Sequence, residues 1–294
     1  MSAIPDPKIL MSIRNLSLAA KTTVDGFLTG ANKSAIKGTG IEFSQYRSYM
    51  PGDDLRWMDW KMFARSDRYY IRESEAETNI SVRLLIDCSG SMAHQDSGLT
   101  KIDYARYIAA CLAYLANRQG DAVGLYLLRE KGIFSLTPRQ GYQNLNRIFY
   151  QLEQAGPTGK FTNQVHYKEI YAGGRSKELL VFITDMYQEK KEIYDMLDLL
   201  GAMKHEIIVL HVIGRNELDL NFTGYDTLQD METGATIQVD PSRLKKQYAA
   251  ELQLQHETIK KELMGKNIYY RLLAMDEPVD EALRDFLQRR ARGL

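Results

Sequence analysis

The chain is poor in cysteine, with two among its 294 residues, and Cys88 and Cys111 show neither the spacing of a disulfide framework nor that of a metal knuckle. Two free thiols in a reducing compartment are the expectation. Long apolar runs are also missing: nothing approaches the roughly 18 residues of a spanning helix. Asp6, Lys8 and Arg14 interrupt the amino-terminal stretch where a signal peptide needs an unbroken apolar core. The sequence therefore reads as a globular cytoplasmic protein with no membrane span. Neither sign of charge is in excess, because Lys+Arg and Asp+Glu both total 38. No global field recruits nucleic acid or an anionic membrane. A glycine-rich phosphate loop ending in Lys-Ser or Lys-Thr is absent, which argues against nucleotide hydrolysis by this chain. His94, His205, His211 and His256 lack metal-ligand spacing.

What is present is a hydrophobic content of 44%, enough at this length for one large domain and an appendage without a disulfide or structural metal. From about residue 80, apolar strand-like runs alternate with helical stripes. The runs are 82–86, 122–128, 179–184, 207–213 and 268–273. Thr100 and Asp103 form a capping box ahead of the stripe Ile102, Ala105, Ile108, Ala109, Leu112, Leu115, which stops at Gly120. Ile193, Met196, Leu197, Leu200 and Met203 mark a second stripe; Leu244, Tyr248, Leu252, Ile259 and Leu263 mark a third, opened by Asp240 and Pro241. A last helix is expected near 278–292, and Thr233-Gly234 marks an edge hairpin between 226 and 240. This order predicts an α/β fold: a doubly wound, mostly parallel sheet with helices on both faces. Residues 1–79 differ, being rich in Tyr, Trp and charge. They read as a small amino-terminal α+β module, with a helix near 9–18 and a type II turn at Pro51-Gly52, ahead of the large domain at 80–294.

The run Asp87-Cys88-Ser89-Gly90-Ser91 follows the first buried strand. Alternate side chains leaving a strand end point to one side, so Asp87, Ser89 and Ser91 can converge while Cys88 points elsewhere. One carboxylate and two hydroxyls suit a hard divalent cation such as Mg2+. Ligands in open α/β sheets collect beyond the carboxyl ends of the strands. The missing oxygens are therefore sought in Asp185, after the strand ending at Thr184, and in Thr158 or Thr162 on the preceding loop.

Blander readings compete. Asp and Ser favour turns and helix caps without any metal. Asp53, Asp54 and Asp59 lie among Arg47, Arg56, Lys61, Arg65 and Arg68, the pattern of an ion-pair surface. Trp57, Trp60, Tyr69 and Tyr70 fit either docking or packing. Ser89 lacks the flanking glycines of a nucleophile elbow. A metal-dependent hydrolase would have only His94 or Asp96 near enough in sequence to serve as base.

With Asp-x-Ser-x-Ser after the first core strand, a Thr on a second loop and an Asp after a later strand, the chain resembles the metal-ion-dependent adhesion site of von Willebrand factor type A domains. The resemblance implies Mg2+, or Mn2+, held by Ser and Thr hydroxyls with aspartates bound directly or through water, and an open position for a partner's Asp or Glu. The ligands it implies are Asp87, Ser89, Ser91, Thr162 and Asp185. Thr162 is preferred to Thr158 because its hydroxyl precedes the helix as the family's Thr does, although 156–163 is longer than a plain Gly-Gly-Thr-Asn. Gly40-Ile41-Glu42-Phe43, Arg47-Ser48-Tyr49, Pro51-Gly52-Asp53-Asp54-Leu55-Arg56, Asp59-Trp60-Lys61 and Ala64-Arg65 resemble the bacterial "domain of unknown function, number 58" proteins, which join such a segment to an A-type domain. Genes of that family commonly neighbour MoxR-type AAA+ ATPases. The implied function is a non-enzymatic, Mg2+-dependent protein-interaction module, an adaptor or co-chaperone of such an ATPase. From ordinary carboxylate chemistry, cation affinity is expected to change little between about pH 6 and 8.

Overall fold

The computed structural model describes residues 15–35, 45–50, 58, 60, 63, 65, 68–73, 79–160, 167, 170, 178–187, 190–203, 205–219, 227–229, 236–238 and 241–292. The chain forms two compact units, one of Met1–Phe27 with Ile80–Leu294 and one of Leu28–Asn79.

In the larger unit the elements follow as α1 (Leu16–Ala35, of which 16–27 belong here), β1 (Ser81–Asp87), α2 (Lys101–Arg118), β2 (Ala122–Arg129), β3 (Gly132–Arg139), α3 (Tyr142–Glu153), β4 (Leu179–Thr184), α4 (Lys190–Ala202), β5 (Glu206–Ile213), α5 (Arg215–Asp219), α6 (Pro241–Gly265), β6 (Tyr269–Ala274) and α7 (Asp280–Arg292). The sheet order is β6-β5-β4-β1-β2-β3, with every pair parallel except the antiparallel edge β2-β3. The α/β, doubly wound architecture expected from the alternating pattern is the one observed. β1, β4 and β5 read as continuous apolar runs because both their faces are covered.

On one face, Leu85, Tyr126, Phe182 and Val209 pack with Ile193, Met196, Leu197 and Leu200 of α4 and Ile259 and Leu263 of α6. The other face carries α2, with α3 and α7 beside it. The Thr100 hydroxyl accepts from Asp103 N at 3.2 Å and donates to Asp103 Oδ2 at 2.6 Å, so α2 starts at its expected cap.

Three elements depart from expectation. β3 was not foreseen: only Ile133 along it is buried, Pro138 sits in it, and no Asn-Gly or Asp-Gly marks its turn. α3 was not foreseen either. Residues 16–27, part of the 1–79 segment set apart by sequence, group with the large unit. Along α1, Leu16, Ala19, Ala20 and Val24 are buried, and Thr23 Oγ1 lies 2.6 Å from the Tyr107 hydroxyl on α2. The expected helix at 9–18 falls largely outside the described residues, as do Pro51-Gly52, Asp53, Asp54, Trp57, Asp59 and Thr233-Gly234. Thr227–Gln229 and Thr236–Gln238 do pair antiparallel, as the hairpin required.

The smaller unit holds an antiparallel ribbon of Gln45–Ser48 with Tyr70–Glu73. Beside it, Phe63 stacks on Tyr69 with ring centroids 4.5 Å apart. No helix among the described residues is long and apolar enough to cross a membrane.

Candidate metal centre at the carboxyl edge of the sheet

The strand order places β1 beside β4, the point at which successive connections leave the sheet in opposite directions and a crevice opens at the carboxyl ends. Asp87 closes β1 and Asp185 follows β4, so the crevice is flanked by two carboxyls from chain positions 98 residues apart. Beyond Asp87 the chain makes a single 3-10 turn, Gly90–Ala93, which brings the two serines back toward the sheet. Ser89 Oγ and Ser91 Oγ are 3.1 Å apart, and the Ser91 hydroxyl reaches Asp185 Oδ1 at 3.1 Å. Asp87 is anchored from both sides: Ser89 N donates to Oδ1 at 2.9 Å and the Thr184 hydroxyl donates to Oδ2 at 2.7 Å. Four of the five expected residues, Asp87, Ser89, Ser91 and Asp185, are buried within one hydrogen-bonded group.

Thr162 lies outside the described residues. Thr158 is described, and its hydroxyl pins the neighbouring loop: it donates to the Cys88 carbonyl at 3.2 Å and accepts from Glu130 N at 3.2 Å. Thr158 N also meets that carbonyl at 2.7 Å, and Gly90 N bonds the Gly159 carbonyl. Gly159 has φ +95°, and a side chain there would collide with the Glu130 carboxylate.

Burial, and after it the charge of Asp185, raise the Asp87 carboxyl to about 7, against the lowering effect of its hydrogen bonds from Thr184 and Ser89. Burial and the Asp87 charge push the Cys88 thiol up to about 12, and its Sγ lies 3.8 Å from the Ile86 carbonyl. The donors that converge are therefore hard oxygens around a pair of buried acids whose mutual repulsion a cation relieves, and they fit Mg2+ or Mn2+ by chemistry. Among the described residues no group of three or more His, Cys, Asp or Glu side chains is arranged to hold a metal. Any cation here must draw on hydroxyls.

The family described as "Protein of unknown function DUF58" matches residues 45–258. The chain belongs to this family. A relative by sequence, the uncharacterised protein Rv1480 of Mycobacterium tuberculosis, is 27% identical over 244 residues, covering 81% of this chain and 76% of that protein. Among solved structures, BatB from Bacteroides thetaiotaomicron is similar at 15% identity and a TM-score of 0.48, over 73% of this chain and 100% of that one. The VWA domain of SpRpn10 is similar at 10% identity and a TM-score of 0.40, over 71% and 95%.

Three participants were not foreseen from sequence. Thr184 reads in the sequence only as a strand end, yet it bridges Asp87 and the backbone of Met186, whose N–H reaches its Oγ1 at 3.0 Å. Lys101, 2% exposed, sends its ammonium to Asp185 Oδ2 at 3.1 Å and to Glu217 Oε1 at 2.8 Å. Glu217 in turn accepts from Gly214 N at 2.7 Å. Nothing local distinguishes Lys101 from the other basic residues on helices. His94 and Asp96, the bases a hydrolase would need, both engage the start of α5. His94 Nε2 lies 3.0 Å from Asn216 Oδ1, and Asp96 Oδ2 accepts from Asn216 N at 3.1 Å.

Proposed function

We propose that this chain is a cytoplasmic, non-enzymatic protein-interaction module that binds a partner's carboxylate through a divalent cation, Mg2+ or Mn2+, held at the crevice between β1 and β4. The observation that carries the reading is the hydrogen-bonded path Ser89–Ser91–Asp185, which joins residues 96 positions apart beside the buried Asp87. Asp87, Ser89, Ser91 and Asp185 would hold the ion, with Thr162 as a further ligand. When bound, the cation supplies a Lewis-acidic position that an Asp or Glu from another protein can fill with charge-assisted strength.

The chain's own groups serve positioning. Thr184 and Ser89 N orient Asp87, Ser91 orients Asp185, and the Thr158 pin holds the loop that leads to Thr162. A hydrolytic role finds less support, because His94 and Asp96 are committed to Asn216. A MoxR-type AAA+ ATPase is the partner proposed, with this chain as its adaptor or co-chaperone.

The test is affinity capture of such an ATPase by wild type and by Asp87→Ala, in Mg2+ and in chelator. Capture should require both the carboxylate and the ion. Recovery that is indifferent to both would reject metal bridging.

A further inference from the structure

A lysine this deeply buried is unusual and needs compensating charge. Lys101 opens α2 ten residues after Ser91, and its backbone N–H is fixed to the His94 carbonyl at 3.0 Å. Its side chain turns inward and places the ammonium between two carboxylates from different loops, Asp185 after β4 and Glu217 on α5. Burial by itself would favour the neutral amine, but the two carboxylates outweigh it and keep the group charged.

Asp185 is thereby divided between two neighbourhoods. Its Oδ1 takes the Ser91 hydroxyl and, at 3.2 Å, Tyr187 N, on the side of the proposed ion; its Oδ2 faces the lysine. Glu217 is divided as well, with Oε1 on Lys101 and Oε2 on Gly214 N, and with His94 Nε2 3.7 Å from Oε2. A positive charge on the far oxygen of a ligating carboxylate opposes a second cation at the near one.

We propose that Lys101 is a built-in counter-cation of the site: it shares Asp185 with the divalent ion, weakens that ion's binding, and holds Asp185 in place when the ion is gone, while Glu217 neutralises part of its charge. The proposal rests on the cation site described above and adds a role for two residues that are not ligands. It also implies coupling between ion and partner. A site weakened from within retains its ion well only when an incoming carboxylate adds negative charge, so ion and partner should bind together. Lys101 and Glu217 are positioning residues in this scheme.

The experiment measures Mn2+ binding to the full chain, by the free-ion electron paramagnetic resonance signal and by calorimetry, for wild type, Lys101→Met and Glu217→Gln. Lys101→Met, nearly equal in length and uncharged, should bind Mn2+ about tenfold more tightly or better. Glu217→Gln leaves the ammonium less compensated and should bind several-fold more weakly. A role limited to packing or to orienting Asp185 would instead weaken binding in both, so the opposite signs are the discriminating result. Wild-type binding together with an unchanged or weaker Lys101→Met overturns this inference and leaves the cation site standing. Absence of Mn2+ binding by wild type overturns both. Should Lys101→Met lose its far-ultraviolet circular dichroism, Glu217→Gln decides alone, and affinity equal to or above wild type overturns the inference.

Discussion

Replacing Asp87 with Asn should make the ion-free protein more stable at alkaline pH, although it deletes a group anchored by two hydrogen bonds. Asp87 is fully buried, and its carboxyl is raised from its ordinary 3.8 to about 7 by burial and by Asp185. The folded state therefore holds a proton between these values that the unfolded chain has released, so stability falls as pH rises through that window. At 1.36 kcal/mol for each tenfold change, the raised carboxyl costs about 4 kcal/mol by pH 8, where it is ionised, and about 2 kcal/mol at pH 5, where the folded state still holds the proton. Asn carries no such cost. It cannot, however, accept from both Ser89 N and the Thr184 hydroxyl, and the group left unpaired costs about 1 to 3 kcal/mol at every pH. The variant should therefore move from near parity with wild type at pH 5 to an advantage of about 2 kcal/mol at pH 8. That corresponds to roughly 4 to 8 °C in melting temperature for a domain of this size. Thermal unfolding followed by circular dichroism in chelator, for both proteins at both pH values, measures it. His211, whose imidazole burial holds down at about 3, makes both proteins less stable as pH falls below 6.5 and cancels in the difference. Added Mg2+ should raise the wild-type melting temperature and leave the variant unmoved. A stability difference that is flat between pH 5 and 8 would refute the electrostatic reasoning.

The same carboxyl reverses the pH expectation drawn from ordinary carboxylates. Asp87 must lose a proton held to about pH 7 before it can ligate, so Mn2+ affinity should drop about tenfold from pH 8 to pH 6; calorimetry giving equal affinities at the two values would contradict this. The two threonines should separate cleanly. Thr158→Val removes a loop pin and should lower stability by about 1 kcal/mol with little change in Mn2+ affinity. Thr162→Val should weaken Mn2+ binding and leave the melting temperature of the ion-free protein nearly unchanged, and the reverse pattern would exchange their roles.

Chain-local physics accounts for what could be read in advance. Leu84, Leu85 and Ile86, or Val181, Phe182 and Ile183, form unbroken apolar runs because a strand covered on both faces has no polar side to show. Thr100 with Asp103 marks a helix start through contacts three residues apart. The Asp-x-Ser-x-Ser spacing is legible for the same reason, since two-residue periodicity sets which side chains leave a strand end together. β3 escaped because its outer face meets water and an edge tolerates Pro138. What α1 packs against was not legible either, because an apolar stripe reveals that a face is buried without naming what buries it.

The sequence by itself determined the alternation of strands and helices, the two-faced burial of the sheet and the oxygen-bearing loop after its first strand, all of which depend on residues within a few positions of one another. Only the tertiary structure decided that β1 lies against β4, so that Ser91 meets Asp185, that Lys101 stands between Asp185 and Glu217, and that the Asp87 carboxyl is forced upward. Charges act through space over a few ångströms, and the distance between groups a hundred residues apart exists only once the strands have taken their order.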